Sequence, residues 1–213
     1  MKNVFILGDS YSTYGGCIPD GYVTYYSEQG RPNVPVSKMQ LGETWWKRMQ
    51  EKTNCNILLN NSWSGSTISY TGREGDCSQT SSFIYRYRQL KENGFFKENA
   101  VDTVFLFGGT NDSWIDAPLG EMQFSDWEEK DLYNVLPAIC YLVDQVKNDL
   151  PNAEIVLIIN SDLKEEIQNC IEELAKRHAL KCVKLKDVEK EEGHPTVNGM
   201  LSISEQVLAI LNK

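Results

Sequence analysis

Histidine is nearly missing from this chain. His178 and His194 are the only two in 213 residues, so any chemistry that needs an imidazole must use one of them. Six cysteines (Cys17, Cys55, Cys77, Cys140, Cys170 and Cys182) are scattered without a Cys-x-x-Cys pair. That spacing argues against a zinc site and for packing thiols in a reducing compartment. No apolar run approaches the roughly 18 residues that a membrane-spanning helix needs. The opening Met1-Lys2 leads straight into a run too short for the apolar core of a secretory signal, so a cytoplasmic location is expected. Basic residues are in deficit, 21 Lys and Arg against 30 Asp and Glu, for a net charge of −9. Such a surface repels phosphate backbones and anionic lipid, so neither nucleic acid binding nor membrane insertion is expected. No Gly-x-Gly-x-x-Gly or Walker pattern follows the first apolar run, and no Gly-x-Ser-x-Gly occurs. These absences disfavour a flavodoxin-like cofactor binder and the usual α/β-hydrolase elbow.

What is present is an alternation of short apolar runs with longer helical patterns. Residues 3–7, 56–60, 103–107, 154–159 and 181–185 read as five strands. They are rich in Val, Ile, Leu and Phe without clean alternation, as in a parallel sheet covered on both faces. Helical spacing appears over 43–52, 127–149, 161–178 and 198–211, with Ser161 or Asp162 as a cap for the third. The alternation predicts a single α/β domain over 1–213, a three-layer α/β/α sandwich with a five-stranded parallel sheet and right-handed crossovers. Two stretches fall outside the scheme. Residues 11–42 and 66–93 read as long, polar, Gly-containing and Tyr-rich loops, which in a compact domain tend to shape a binding site.

Ligands of an open parallel sheet bind beyond the carboxyl ends of its strands. The first three predicted strands end in Gly8-Asp9-Ser10, in Asn60-Asn61-Ser62-Trp63-Ser64-Gly65 and in Gly108-Gly109-Thr110-Asn111-Asp112, and Glu191-Glu192-Gly193-His194-Pro195 precedes the last helix. These residue types suit acyl transfer. A serine hydroxyl needs a neighbouring base to take its proton, and histidine titrates near neutrality. An Asn amide and backbone N–H groups at Gly-containing turns can face a developing oxyanion. Ser10, Gly65, Asn111 and His194 form a minimal set. His178, near the end of a predicted helix, reads as structural. Asp9 and Asp112 read as turn-forming carboxylates rather than a metal pair. Tyr11, Tyr14, Trp63 and Trp114 flank the blocks as aromatic surfaces for a substrate, with lid or core packing as the alternative.

The four blocks, in this order over residues 4 to 200, resemble the SGNH (GDSL-like) hydrolase family. The resemblance implies the flavodoxin-like SGNH fold and a carboxylic ester hydrolase with no cofactor and no metal. It implies Ser10 as nucleophile and His194 as base, with an oxyanion hole from the Ser10 and Gly65 N–H groups and the Asn111 side chain. Asp9, Tyr11, Trp63 and Trp114 are the candidate substrate-binding residues. The family places Asp three residues before its His, where this chain has Glu191. Glu191 is therefore the candidate third catalytic residue, with Asp187, Glu189 or a backbone carbonyl as alternatives. A small-molecule or carbohydrate ester, such as an O-acetylated sugar, is the expected substrate. A non-catalytic ester- or carbohydrate-binding module and an acyltransferase are the competing readings.

Overall fold

Strand β1 (Asn3–Gly8) lies in the middle of the molecule, with β2 (Asn56–Ser62) on one side and β3 (Thr103–Phe107) on the other. Beyond β3 come β4 (Glu154–Ile159) and β5 (Lys181–Lys184), giving a five-stranded sheet of order β2-β1-β3-β4-β5 with all pairings parallel. The computed structural model describes residues 2–212.

The two faces of the sheet are covered by different helices, and strand geometry decides which side chain meets which. Successive residues of a strand point to opposite faces. Phe5, Leu7, Val104, Leu106, Ile155 and Leu157 pack with helices α2 (Phe83–Glu92), α3 (Val135–Asp149) and α4 (Glu165–His178). Val4, Ile6, Phe105, Phe107, Val156 and Ile158 pack with α1 (Trp45–Thr53) and α5 (Val197–Leu211). Apolar residues on both sides of each strand explain why these runs show no alternation of polarity. Among the described residues no helix is long and apolar enough to cross a membrane.

The predicted strands are in place, with β2 running two residues further, to Ser62. Three expectations need correction. Residues 66–93 are not loop throughout, because α2 occupies Phe83–Glu92, capped by Ser82, whose side chain accepts from the Tyr85 N–H. The third predicted helix starts at Glu165 rather than 161, with Lys164 and not Ser161 or Asp162 at the cap position. The Lys164 N–H donates instead to Ser113 Oγ at 2.7 Å, a partner remote in sequence. The helix predicted over 127–149 is a 3-10 turn, Glu129–Tyr133, followed by α3.

The sheet order reverses beside β1. The chain leaves β1 to form β2 at one edge, then crosses back to β3 on the other side. The carboxyl ends of β1, β2 and β3 therefore open at one crevice, the topological switch point where ligands of such sheets bind.

Candidate active site

The end of β1 explains the Gly8-Asp9-Ser10 block. A Cβ on Gly8 would lie 2.6 Å from Ser62 Oγ and 2.9 Å from Ser12 Cβ, so only glycine lets β2 and the following turn approach this closely. Asp9 caps the 3-10 turn Ser10–Ser12, its carboxylate accepting from the Tyr11 N–H at 3.0 Å. Ser10 thus opens a fixed turn at the crevice.

His194 is 184 residues further along, yet its Nε2 lies 3.1 Å from Ser10 Oγ. Its Nδ1 lies 3.1 Å from the Glu192 carbonyl oxygen. A carbonyl can only accept, so Nδ1 carries the proton and Nε2 is left to accept from the serine hydroxyl. The ring stacks on Tyr25 at 3.6 Å between centroids and 8° between planes, and Trp114 meets it edge-on at 5.4 Å. Two further tyrosines hold the chain on either side of it. Tyr11 donates its phenol to the Gly193 carbonyl, and Tyr26 donates to the Pro195 carbonyl at 3.0 Å. Burial in this aromatic setting pulls the His194 pKa down to about 4. The Arg31, Arg73 and Lys190 charges add to the depression, and the Glu192 carbonyl works against it.

Glu191 does not take the orienting role expected of it. Its side chain is exposed and makes no hydrogen bond to His194. The cause is local. Lys190–Glu191 pairs with His194–Pro195 in an antiparallel hairpin whose central residues, Glu192 and Gly193, have φ of +49° and +75°. That is the primed-turn geometry of a two-residue hairpin, and here the Glu192 carbonyl meets Nδ1. Of the alternatives, the backbone carbonyl is the one in place, and the two carboxylates are not. Glu189 accepts from Thr196 and Asn198 at the start of α5, and exposed Asp187 makes no bond to His194.

The remaining blocks are tied to this pair through their backbones. Arg86 of α2 is fully buried and donates to the Gly8 carbonyl at 3.1 Å, Ser66 Oγ at 3.0 Å and Asn61 Oδ1 at 2.8 Å. Burial lowers its pKa to about 10, so it stays charged at neutral pH. Asn111 belongs to the short helical turn Thr110–Trp114 after β3, and its Nδ2 donates to the Ser66 carbonyl at 2.9 Å. Asp112 accepts from the Ile68 and Ser69 N–H groups and the Ser69 hydroxyl, fastening the second block to the third. Asn160, at the end of β4, donates to Tyr11 Oη and Thr110 Oγ1. Among the described residues, the Ser10 and Gly65 N–H groups donate to no protein acceptor.

The expected substrate-binding residues divide into two pairs. Trp63 packs tilted against Tyr22 and lines an open cavity of ≈ 470 Å³ beside Gly65, with Val23, Arg73, Thr80 and Ser81. Trp114 is 39% exposed next to His194. Asp9 and Tyr11, by contrast, are fully buried. They shape the serine turn and the histidine hairpin from beneath, a correction that follows from their hydrogen bonds to the Tyr11 N–H and the Gly193 carbonyl. His178 sits at the end of α4 beside Lys147, away from the site.

Arg86, Arg73, Tyr25, Tyr26 and Asn160 are site residues that sequence reasoning missed. The tyrosine-rich stretch after Ser10 was a signal for two of them. Arg86 falls within the 66–93 stretch that reads as a polar loop, and nothing local reveals that it is buried.

This sheet, with a serine and a histidine joined at its switch point, defines an α/β hydrolase of the SGNH type. The profile of the GDSL-like lipase/acylhydrolase family matches residues 2–211, and the chain belongs to that family. It is similar to a candidate GDSL-like lipase from Bacteroides ovatus, at 36% identity and TM-score 0.88, covering 100% of this chain and 98% of that one. A candidate GDSL-like lipase from Bacteroides uniformis is alike at 38% identity and TM-score 0.87, covering 100% and 96%. An acetyl xylan esterase from Butyrivibrio proteoclasticus shares the fold at TM-score 0.63 and 14% identity, covering 99% of this chain and 63% of that one. The comparison with curated proteins finds no match.

Proposed function

We propose that the chain is one catalytic domain, a serine esterase that removes short acyl groups such as O-acetyl from carbohydrates. The observation that carries this reading is the Ser10 Oγ to His194 Nε2 contact of 3.1 Å, with Nδ1 held on the Glu192 carbonyl. In the first step His194 takes the Ser10 proton as Oγ attacks the ester carbonyl. The oxyanion is met by the Ser10 and Gly65 N–H groups and the Asn111 amide. Collapse expels the alcohol, which receives the proton from His194, and leaves an acyl-serine. Water, deprotonated by His194, then attacks that acyl-serine and releases the carboxylic acid. Without a carboxylate behind the imidazole, the pair works as a dyad.

The cavity beside Gly65 supports the proposed substrate class. Its lining mixes Trp63 with Arg73, Glu74, Thr80 and Ser81, which suits a sugar ring and its hydroxyls better than a fatty chain. The shared fold with an acetyl xylan esterase supports the same choice.

Purified protein is expected to hydrolyse p-nitrophenyl acetate faster than longer acyl esters, and Ser10→Ala to lose about 10³-fold or more in kcat. A fluorophosphonate should label Ser10 in the parent only. Equal, slow rates for parent and variant, with no labelling, would refute serine catalysis.

A further inference from the structure

We propose that Arg73 is a positioning residue of the oxyanion hole, fixing the Asn111 amide and setting a positive charge behind it. The proposal rests on the serine-esterase reading above.

Arg73 lies in the turn of a small hairpin formed by Thr71–Gly72 and Gly75–Asp76. The hairpin is fastened at its base rather than free to swing. Thr71 Oγ1 donates to the Tyr133 carbonyl at 2.8 Å, and Tyr133 Oη donates to Asp76 Oδ2 at 2.9 Å. From this mount the guanidinium crosses the crevice mouth, its Cζ 5.7 Å from the centre of the Trp114 ring. Nη2 and Nε both donate to Asn111 Oδ1, at 3.0 and 3.3 Å.

An asparagine amide has two orientations related by a half-turn. Here both ends are specified by partners of opposite kind. Oδ1 faces a guanidinium, which can only donate, and Nδ2 faces the Ser66 carbonyl, which can only accept. Turning the amide over would set donor against donor and acceptor against acceptor. Ser66 uses one Nδ2 hydrogen, so the other remains for a substrate oxygen. A cation on Oδ1 also polarises the amide, which strengthens that N–H as a donor. Among the described residues Arg73 has no carboxylate partner within ion-pair distance, so its charge is not cancelled by a local acid.

Arg73 is exposed, and its replacement should leave the fold intact, which thermal unfolding will verify. With p-nitrophenyl acetate, which brings no sugar to the cavity that Arg73 lines, Arg73→Ala is expected to lower kcat about ten- to hundredfold while KM moves little, because the interaction strengthens in the transition state. Guanidinium chloride at millimolar concentration should restore part of the rate of Arg73→Ala. Inhibition by phenylboronate, which forms a tetrahedral adduct on Ser10, should weaken in parallel with kcat/KM. Arg73→Ala combined with Asn111→Ala should be scarcely slower than Asn111→Ala alone, since the arginine acts through that amide.

Independent, multiplicative losses in the double variant would overturn the proposal, as would a change confined to KM. A parent that hydrolyses esters and labels at Ser10, with Arg73→Ala equally fast, defeats the Arg73 assignment alone. A parent that neither hydrolyses nor labels defeats the esterase reading and this proposal with it.

Discussion

His194 is stacked on Tyr25, faced by the edge of Trp114, and within the fields of Arg31, Arg73 and Lys190. Its pKa of about 4, against an ordinary 6.5, leaves the ring neutral through mildly acidic solution. In the proposed reaction the ring can therefore accept a proton far below the pH at which an exposed histidine is already protonated. The acid limb of kcat/KM should fall with an apparent pKa of about 4, and a profile breaking near 6.5 would show that the ring is not shielded in this way. The depressed value has a cost in basicity, and the hydrogen bond to the Glu192 carbonyl opposes the effect of burial. Replacement of Glu191 should accordingly matter much less than replacement of His194.

At the scale of the element, the hairpin that carries His194 is defined by turn chemistry. Gly193 sits at φ +75°, and a Cβ there would lie 3.0 Å from the Trp114 ring. Gly193→Ala meets both a strained backbone and a displaced Trp114. It is expected to cost about 1–2 kcal/mol of stability and to slow turnover about tenfold or more, since small displacements at the reacting atoms are expensive. Thermal unfolding together with kcat will show this, and a variant equal to the parent in both would mean the hairpin adapts freely. The hairpin also marks a limit of sequence reading. His194 and Pro195 were legible as a block, but the choice between Glu191 and a carbonyl depends on two successive positive φ values. Only one of them falls on a glycine. Strands were easier, because a fully buried parallel strand must be apolar on both sides. Arg86 and Asn160 were opaque for the opposite reason, since their partners lie on other strands and turns and leave no local pattern.

For the molecule as a whole, two buried groups set opposing dependences on pH. Asp9 has one carboxylate oxygen without a partner, and burial lifts its pKa to about 7 from 3.8. Between those values the folded chain keeps a proton that the unfolded chain releases, so stability falls as pH rises through the window. His194 works in the other sense. The unfolded chain takes up a proton below 6.5 that the folded chain refuses until about 4, so stability falls as pH drops. The two slopes offset each other over most of the range between. Asp9→Asn removes one of them while keeping an acceptor for the Tyr11 N–H. Its melting temperature, compared with that of the parent, should improve from pH 5 to pH 7, and parallel curves for the two proteins would contradict the assignment.

The serine turn and the hairpin that carries its histidine partner are 184 residues apart in the chain. Tyr11, Tyr25 and Tyr26 meet the histidine hairpin only once Gly193, His194 and Pro195 have been added. A growing polypeptide therefore carries Ser10 without its imidazole partner until residue 194 has been added. On the proposed mechanism, hydrolysis therefore also reports that translation has passed residue 194 and that two segments remote in sequence have met.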